Sequence, residues 1–254
     1  MNLEEHAAKA LVLAPAGIAV PRGTLCLSAK DAAMAAAQIG PCVVKAQVPT
    51  GKRGKAGGIK LANTPAEAET VAGQILGMTI GDYTVERVLI EQQAKIAREF
   101  YLAVLHDTAA RKPLILFSTE GGMDIEEIAA EKPGAIRRLL VDIDGAPRAR
   151  DIAAMLKGLD LGAAEAQIAQ IIDHLYRAYR TCDAELLEIN PLALLADGRV
   201  VALDCKFTLD DGALYRQPEL AKAGSPGAMT ELGDFTNNVG ASGNGRPVSS
   251  AWSR

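Results

Sequence analysis

The chain has 254 residues, with 49% hydrophobic and 23% charged side chains and a formal net charge of −4. These proportions support a sizeable buried core and exclude global disorder. The lack of a long basic run argues against nucleic acid as the main partner. No stretch approaches the ~20 unbroken apolar residues of a membrane span, and the acidic start Met1-Asn2-Leu3-Glu4-Glu5 is unlike a signal peptide, so no membrane association and a cytoplasmic location are expected. Cys26, Cys42, Cys182 and Cys205 show no C-x-x-C spacing and are expected as reduced thiols.

Residues 2–15 predict a helix, with Asn2 as cap and Glu5 completing a capping box. A second helix spans 28–39, capped by Ser28 with Asp31 behind it and ended by Gly40. Cys42–Ala46 and Ile59–Leu61 predict a strand pair around the basic, glycine-rich loop Pro49-Thr50-Gly51-Lys52-Arg53-Gly54-Lys55-Ala56-Gly57-Gly58. Thr64-Pro65-Ala66-Glu67 opens a helix that runs to about Leu76. Val88–Glu91 predicts a strand, and 99–106 with 113–118 a hairpin. Helices are predicted over 124–130, 133–139, 149–157 and 164–180, then strands over 184–189, 193–196 and 200–205, the last two joined by Ala196-Asp197-Gly198-Arg199. From residue 223 the composition turns to Gly, Ser, Asn and Pro, which predicts a linker or disordered tail over 223–254. The whole is mixed α+β with antiparallel hairpins. It lacks both the G-x-G-x-x-G of a Rossmann site and the P-loop signature.

Phosphates are held by closely approaching backbone N–H groups and by Lys or Arg heads. Gly51, Gly54, Gly57 and Gly58 permit that approach, and Lys52, Arg53 and Lys55 supply charge. An exposed basic hairpin tip would have the same composition. Lys45 ends the apolar run Val43-Val44, and a lysine there needs an anionic partner, which a nucleotide phosphate would supply. Glu91 and Glu99 lie at strand ends, where carboxylates accept bonds from an adenine amino group or ribose hydroxyls, or are simply solvated. The turn Glu120-Gly121-Gly122-Met123-Asp124 before a helix suits either an anion or an ordinary tight turn. In Leu187-Glu188-Ile189-Asn190-Pro191-Leu192 and the nearby Leu203-Asp204, an apolar run carries two carboxylates and an amide, an oxygen set suited to Mg²⁺. Asn and Asp also start turns. His6, His106 and His174 have no nucleophile or metal-spaced partner and are expected to be structural.

Val43-Val44-Lys45-Ala46-Gln47-Val48, Arg53-Gly54-Lys55-Ala56-Gly57-Gly58, Glu120-Gly121-Gly122-Met123-Asp124, Leu187-Glu188-Ile189-Asn190-Pro191-Leu192, Leu203-Asp204 and Ala213-Leu214-Tyr215-Arg216-Gln217-Pro218 occur in that order. In order and spacing they resemble the β subunit of succinyl-CoA synthetase and its relative, malate–CoA ligase. The resemblance covers residues 1–222 and implies an ATP-grasp fold, with an inserted subdomain over about 20–95. It also implies that the family's carboxyl-terminal CoA-ligase domain is lacking. It further implies Lys45, Lys52, Arg53, Gly54, Glu91 and Glu99 as nucleotide-binding residues, Asn190 and Asp204 as Mg²⁺ ligands, and Glu188 as the catalytic glutamate that meets a phosphohistidine on an α-type, CoA-binding partner subunit. The implied substrates are ATP or GTP, CoA and a small carboxylic acid, with no full turnover expected without the partner. Lys52 stands where the family usually has glycine, which adds charge and removes backbone freedom. A stand-alone ATP-grasp carboxylate–amine ligase and a non-catalytic nucleotide-binding subunit are the alternatives.

Overall fold

The computed structural model describes residues 1–225. β1 (Asn2–Leu3) leads into α1 (Glu5–Ala8), which continues over Lys9–Leu13 as a wider π-type turn. Asn2 is therefore a strand residue and not the expected helix cap. It pairs with Thr208, and Leu3 pairs with Phe207. A cap contributes only about 1 kcal/mol, and pairing with a distant strand also buries Leu3.

The next segment builds a small antiparallel sheet. Its elements are β2 (Gly23–Cys26), α2 (Ala29–Ile39), β3 (Cys42–Ala46), β4 (Ile59–Ala62), α3 (Pro65–Ile75), the short β5 (Thr79–Ile80) and β6 (Tyr83–Thr84), and β7 (Val88–Gln92). The four longer strands are ordered β2-β7-β3-β4. Ser28 and Thr64 cap α2 and α3 as the sequence predicts, accepting from the Asp31 and Glu67 amides. Alternation along the strands then divides the two faces. Cys42, Val44, Ala46, Val88 and Ile90 pack against Ala32, Ala36, Ala68 and Ala72 of the helices. Val43, Lys45, Ile59, Leu61 and Glu91 face the other way and line a cavity.

The larger sheet is formed by β8 (Ile96–Asp107), β9 (Lys112–Ser118), β10 (Ile136–Leu140), β11 (Ala184–Leu195), β12 (Val200–Ala202), β13 (Lys206–Leu209) and β14 (Gly224–Ser225), together with β1. Its order is β10-β9-β8-β11-β13-β1-β14, with β12 also on β11. One face packs Phe100, Leu102, Phe117, Leu187, Ile189 and Phe207 beneath α5 (Ala149–Leu156) and α6 (Glu165–Thr181). The opposite face carries Tyr101, Ala103, Leu114 and Leu116, with Ile125 of α4 (Ile125–Glu131) packed against them.

The helix predicted over 133–139 is instead β10, whose residues pair with Leu114–Ser118. Pro133-Gly134 punctuates the chain, and Ile136 to Leu140 extend the sheet edge. The two strands predicted over 184–196 are one, and the strand predicted over 200–205 stops at Ala202, which leaves Leu203 to Cys205 outside the ladder. A short helix α7 (Pro218–Ala223) precedes β14, which pairs with β1. The tail expected over 223–254 lies outside the described residues from 226 onward. Among the described residues no helix is long and apolar enough to cross a membrane.

Candidate nucleotide and metal site

A cavity of about 810 Å³ opens between the two sheets, within the size range of small-ligand sites. Its floor is an ion-pair network assembled from five separate segments. Glu5 and Lys9 lie one helical turn apart on α1 and its continuation, Lys45 on β3, Arg53 in the glycine-rich loop, Glu91 on β7, and Asp204 between β12 and β13. Glu5 meets Lys9 at 2.6 Å, Lys45 at 2.9 Å and Arg53 at 2.6 Å. Glu91 bonds both lysines, and Asp204 meets Arg53 at 2.6 Å. Three carboxylates thus face three cations, and all but Asp204 are 6% exposed or less. Burial of charge on this scale is tolerated only because each group is paired and hydrogen-bonded.

Burial alone would raise the Glu5 carboxyl. The adjacent Lys45, Lys9 and Arg53 outweigh it and hold Glu5 well below the usual carboxylate range. Burial likewise works against the charge on Lys45 and Arg53, but the carboxylates around them prevail and raise both above their ordinary values.

The network corrects one expectation and refines another. The anionic partners of Lys45 belong to the chain itself, Glu5 and Glu91, and its third N–H donates to the Leu203 carbonyl at 2.6 Å. All three of its donors are thereby used. Lys9 makes the same three kinds of contact, reaching Leu203 O at 2.7 Å. Two buried ammonium groups therefore pin the backbone beside Asp204. Glu91 turns both carboxylate oxygens to these lysines, and the residues after it, Gln92 to Ala94, line the cavity with it. Arg53 differs. Its Nη1 donates to Glu5 and to the Ala46 carbonyl and its Nη2 to Asp204, so three of its five N–H groups are used.

Lys52 holds φ +61°, the left-handed conformation that favours glycine. The loss of backbone freedom expected at this position is thus a real conformational demand. Lys55 reaches across the mouth of the cavity to Asp124 at 2.7 Å and Glu127 at 3.0 Å, which ties the loop to α4. Gly54 lines the same wall. The charged loop is therefore no free hairpin tip.

Asn190 is positioned by a β-bulge. Ile189 pairs with Leu102 and Leu192 with Phe100, so Asn190 and Pro191 together oppose Tyr101. The Asn190 amide accepts from Gly122 N at 2.8 Å and donates to Met123 O at 2.8 Å. That explains the Gly-Gly turn: a Cβ on Gly121 would lie 2.5 Å from Phe100 N, and one on Gly122 2.5 Å from Glu99 Oε2. Glu99 sits against this turn and is not among the cavity-lining residues, and the Gly122 N–H serves Asn190 and not an anion.

Glu188 does line the cavity, and the Tyr101 hydroxyl donates to it at 2.9 Å. Burial pushes its carboxyl up, and nearby Asp204 and Glu126 add to this, against Tyr101 and Lys206. Of the histidines, His6 bonds Gln47 and His106 contacts Tyr179.

The oxygen donors here suit a hard cation. Asp204 Oδ1 accepts from Arg53 and the Cys205 N–H, and Oδ2 has no hydrogen bond among the described residues. Among those residues no cluster of three His, Cys, Asp or Glu side chains forms a metal cage. One carboxylate and one amide fit Mg²⁺, which keeps waters and shares phosphate oxygens, better than an all-protein site. Two participants, Glu5 and Lys9, escape a reading of the sequence alone. Their signal is a pair of charges, one turn apart, amid the buried Ala8, Val12 and Leu13.

The ATP-grasp domain family matches residues 2–194, and this chain belongs to it. It is 46% identical over 239 residues to the ADP-forming succinate–CoA ligase β subunit of Chloroflexus aurantiacus, covering 91% of this chain and 61% of that protein. It is 44% identical over 223 residues to the GDP-forming β subunit of Thermus thermophilus, covering 87% and 59%. The chain therefore spans about three fifths of the length of these curated relatives. The ATP citrate lyase of Methanothrix soehngenii, solved with citrate and coenzyme A, superposes with a TM-score of 0.71 at 24% identity, over 95% of this chain and 60% of that one. An acetyl-CoA synthetase of Ca. Korarchaeum cryptofilum was solved with Mg-AMPPCP and a phosphohistidine segment pointing towards the nucleotide site. It superposes with a TM-score of 0.61 at 19% identity, over 82% and 93%. Both structures share the fold.

Proposed function

We propose that this chain is the nucleotide-binding portion of the β subunit of an NDP-forming acid–CoA ligase. The reaction is phosphoryl transfer between ATP or GTP and a histidine of an α-type, CoA-binding partner subunit. The assembled enzyme interconverts a carboxylic acid, CoA and the triphosphate with an acyl-CoA, such as succinyl-CoA or malyl-CoA, the diphosphate and phosphate. The observation that carries this reading is one cavity that brings Arg53, Asp204, Asn190 and Glu188 together, in a chain 46% identical to such a β subunit over nine tenths of its length.

In this reading Arg53, Lys52 and the Gly54 backbone bind the phosphates. Lys45 contributes its charge from the floor of the site while it holds Glu5, Glu91 and Leu203 in place. Val43, Ile59, Leu61 and Ile96 offer the base an apolar wall beside Gln92 to Ala94. Glu99 braces the Gly121-Gly122 turn, and that turn orients Asn190. Asn190 and Asp204 would hold Mg²⁺, and the ion would supply neutralisation of the charge on the phosphoryl group in transfer. Glu188 faces the incoming histidine, where an anion beside an imidazole sets its orientation and charge. Catalysis of this kind is mostly positioning and electrostatics.

The test combines the chain with its α-type partner and γ-labelled ATP or GTP. Acid-labile label on the partner's histidine, slowed when Glu188 becomes Gln, is the expected result. Label that never leaves the nucleotide in a folded, reconstituted pair overturns the proposal.

A further inference from the structure

We infer that Arg53 is the resident counter-cation of Asp204, and that metal and nucleotide bind as a unit because together they release it. The inference deepens the proposed function and rests on it. With three carboxylates on three cations the floor of the site is self-neutralised, so a triphosphate meets no unpaired cation of that network. Of the carboxylates, Glu5 and Glu91 are 0% and 3% exposed at the side chain, while Asp204 is 31% exposed. Only Asp204 can change partners without uncovering a buried ion.

The cations sort the same way. Lys9 and Lys45 have spent all three donors, each partly on Leu203 O. Arg53 binds Asp204 through a single Nη2 contact and stays anchored through Nη1 to Glu5 and Ala46. When a divalent cation takes Asp204, the guanidinium loses one bond, keeps its place, and turns Nη2 and Nε to a phosphate. Metal alone must displace Arg53 without offering it a new anion. Nucleotide alone must compete with Asp204 for Arg53 while facing a carboxylate that is then unpaired. Each ligand thus removes the other's obstacle, which is positive coupling by linkage.

The experiment is a double-mutant cycle read by calorimetric titration with ATP, in EDTA and in Mg²⁺, using wild type, Asp204→Asn, Arg53→Gln and the double variant. In EDTA, Asp204→Asn is expected to tighten ATP by about tenfold, the size of a charge-assisted hydrogen bond removed from a competitor. In the Arg53→Gln background the same change should have almost no effect. The enhancement by Mg²⁺ should largely vanish in Asp204→Asn. Arg53→Lys, which keeps charge without the two-armed reach, serves as the second variant should Arg53→Gln fail to fold, and it should also abolish the gain. An equal gain from Asp204→Asn with and without Arg53 would show a uniform electrostatic effect and overturn the coupling. No ATP binding by folded wild type under either condition would instead remove the proposed function, and the coupling with it.

Discussion

Glu5→Gln is the sharpest probe of the buried network, since it changes shape little and removes one of three negative charges. The wild-type carboxylate makes contacts of 2.6, 2.9 and 2.6 Å to Lys9, Lys45 and Arg53, with a side chain that is 0% exposed. A glutamine has a single acceptor oxygen, so at least one cation is left without its partner in a site it cannot leave. Breaking a buried pair in this way costs about 3–5 kcal/mol. Against a total stability of about 5–15 kcal/mol this is a large share, and for a domain of this size it corresponds to a drop of roughly 6–20 °C in Tm. The assay is urea unfolding followed by circular dichroism, where the midpoint should fall with little change in slope. Glu127→Gln, which removes an exposed partner of Lys55, serves as the control and should leave the midpoint unmoved. A Glu5→Gln midpoint within error of wild type would refute the view that the network is tightly paired and water-excluded.

Four further outcomes are expected. Because Glu5 is held below its unfolded value, its contribution to stability is present above about pH 4 and lost as pH falls through its folded pKa, so the urea midpoints of wild type and Glu5→Gln should converge on acidification. Lys52→Gly removes the strain at φ +61° but loosens the unfolded chain, for a net gain of up to about 1 kcal/mol, whereas Lys52→Val should destabilise; a thermal melt that ranks Val above Gly contradicts the left-handed assignment. Gly121→Ala drives a Cβ to 2.5 Å from Phe100 N, and the displaced turn should weaken the Mg²⁺ dependence of ATP binding more than metal-free binding. Tyr101→Phe removes the donor that favours ionised Glu188, so the acidic limb of the phosphoryl-transfer pH profile should move to higher pH; an unmoved limb disconnects Tyr101 from the chemistry.

Local signals were legible in the sequence wherever the structure is itself local. Ser28 and Thr64 cap their helices because cap and amide lie three residues apart, and the basic loop sits in its hairpin because β3 and β4 pair directly around it. Asn2 and the 133–139 segment misled because each gains more from pairing with a remote strand than from a helix of its own. The candidate metal residues could be picked out as an oxygen set, yet the bulge that aims Asn190 depends on Tyr101, far away in sequence. The floor of the site was hidden for the same reason. Lys9 meets Glu91 82 positions away and Arg53 meets Asp204 151 away, and no periodicity along the chain reports such pairs. The local signals are Lys45 at the end of an apolar run, which calls for an anionic partner, and the charged pair Glu5 and Lys9 amid the buried Ala8, Val12 and Leu13.

The central claim is that this cavity binds a magnesium–nucleoside triphosphate, and calorimetric titration of the folded chain with ATP and GTP, with and without Mg²⁺, tests it most directly. Saturable binding by at least one of the two nucleotides, strengthened by Mg²⁺ and stripped of that strengthening in Asp204→Ala, is the predicted result. Binding of neither under any condition, or a Mg²⁺ dependence untouched by Asp204→Ala, would contradict it.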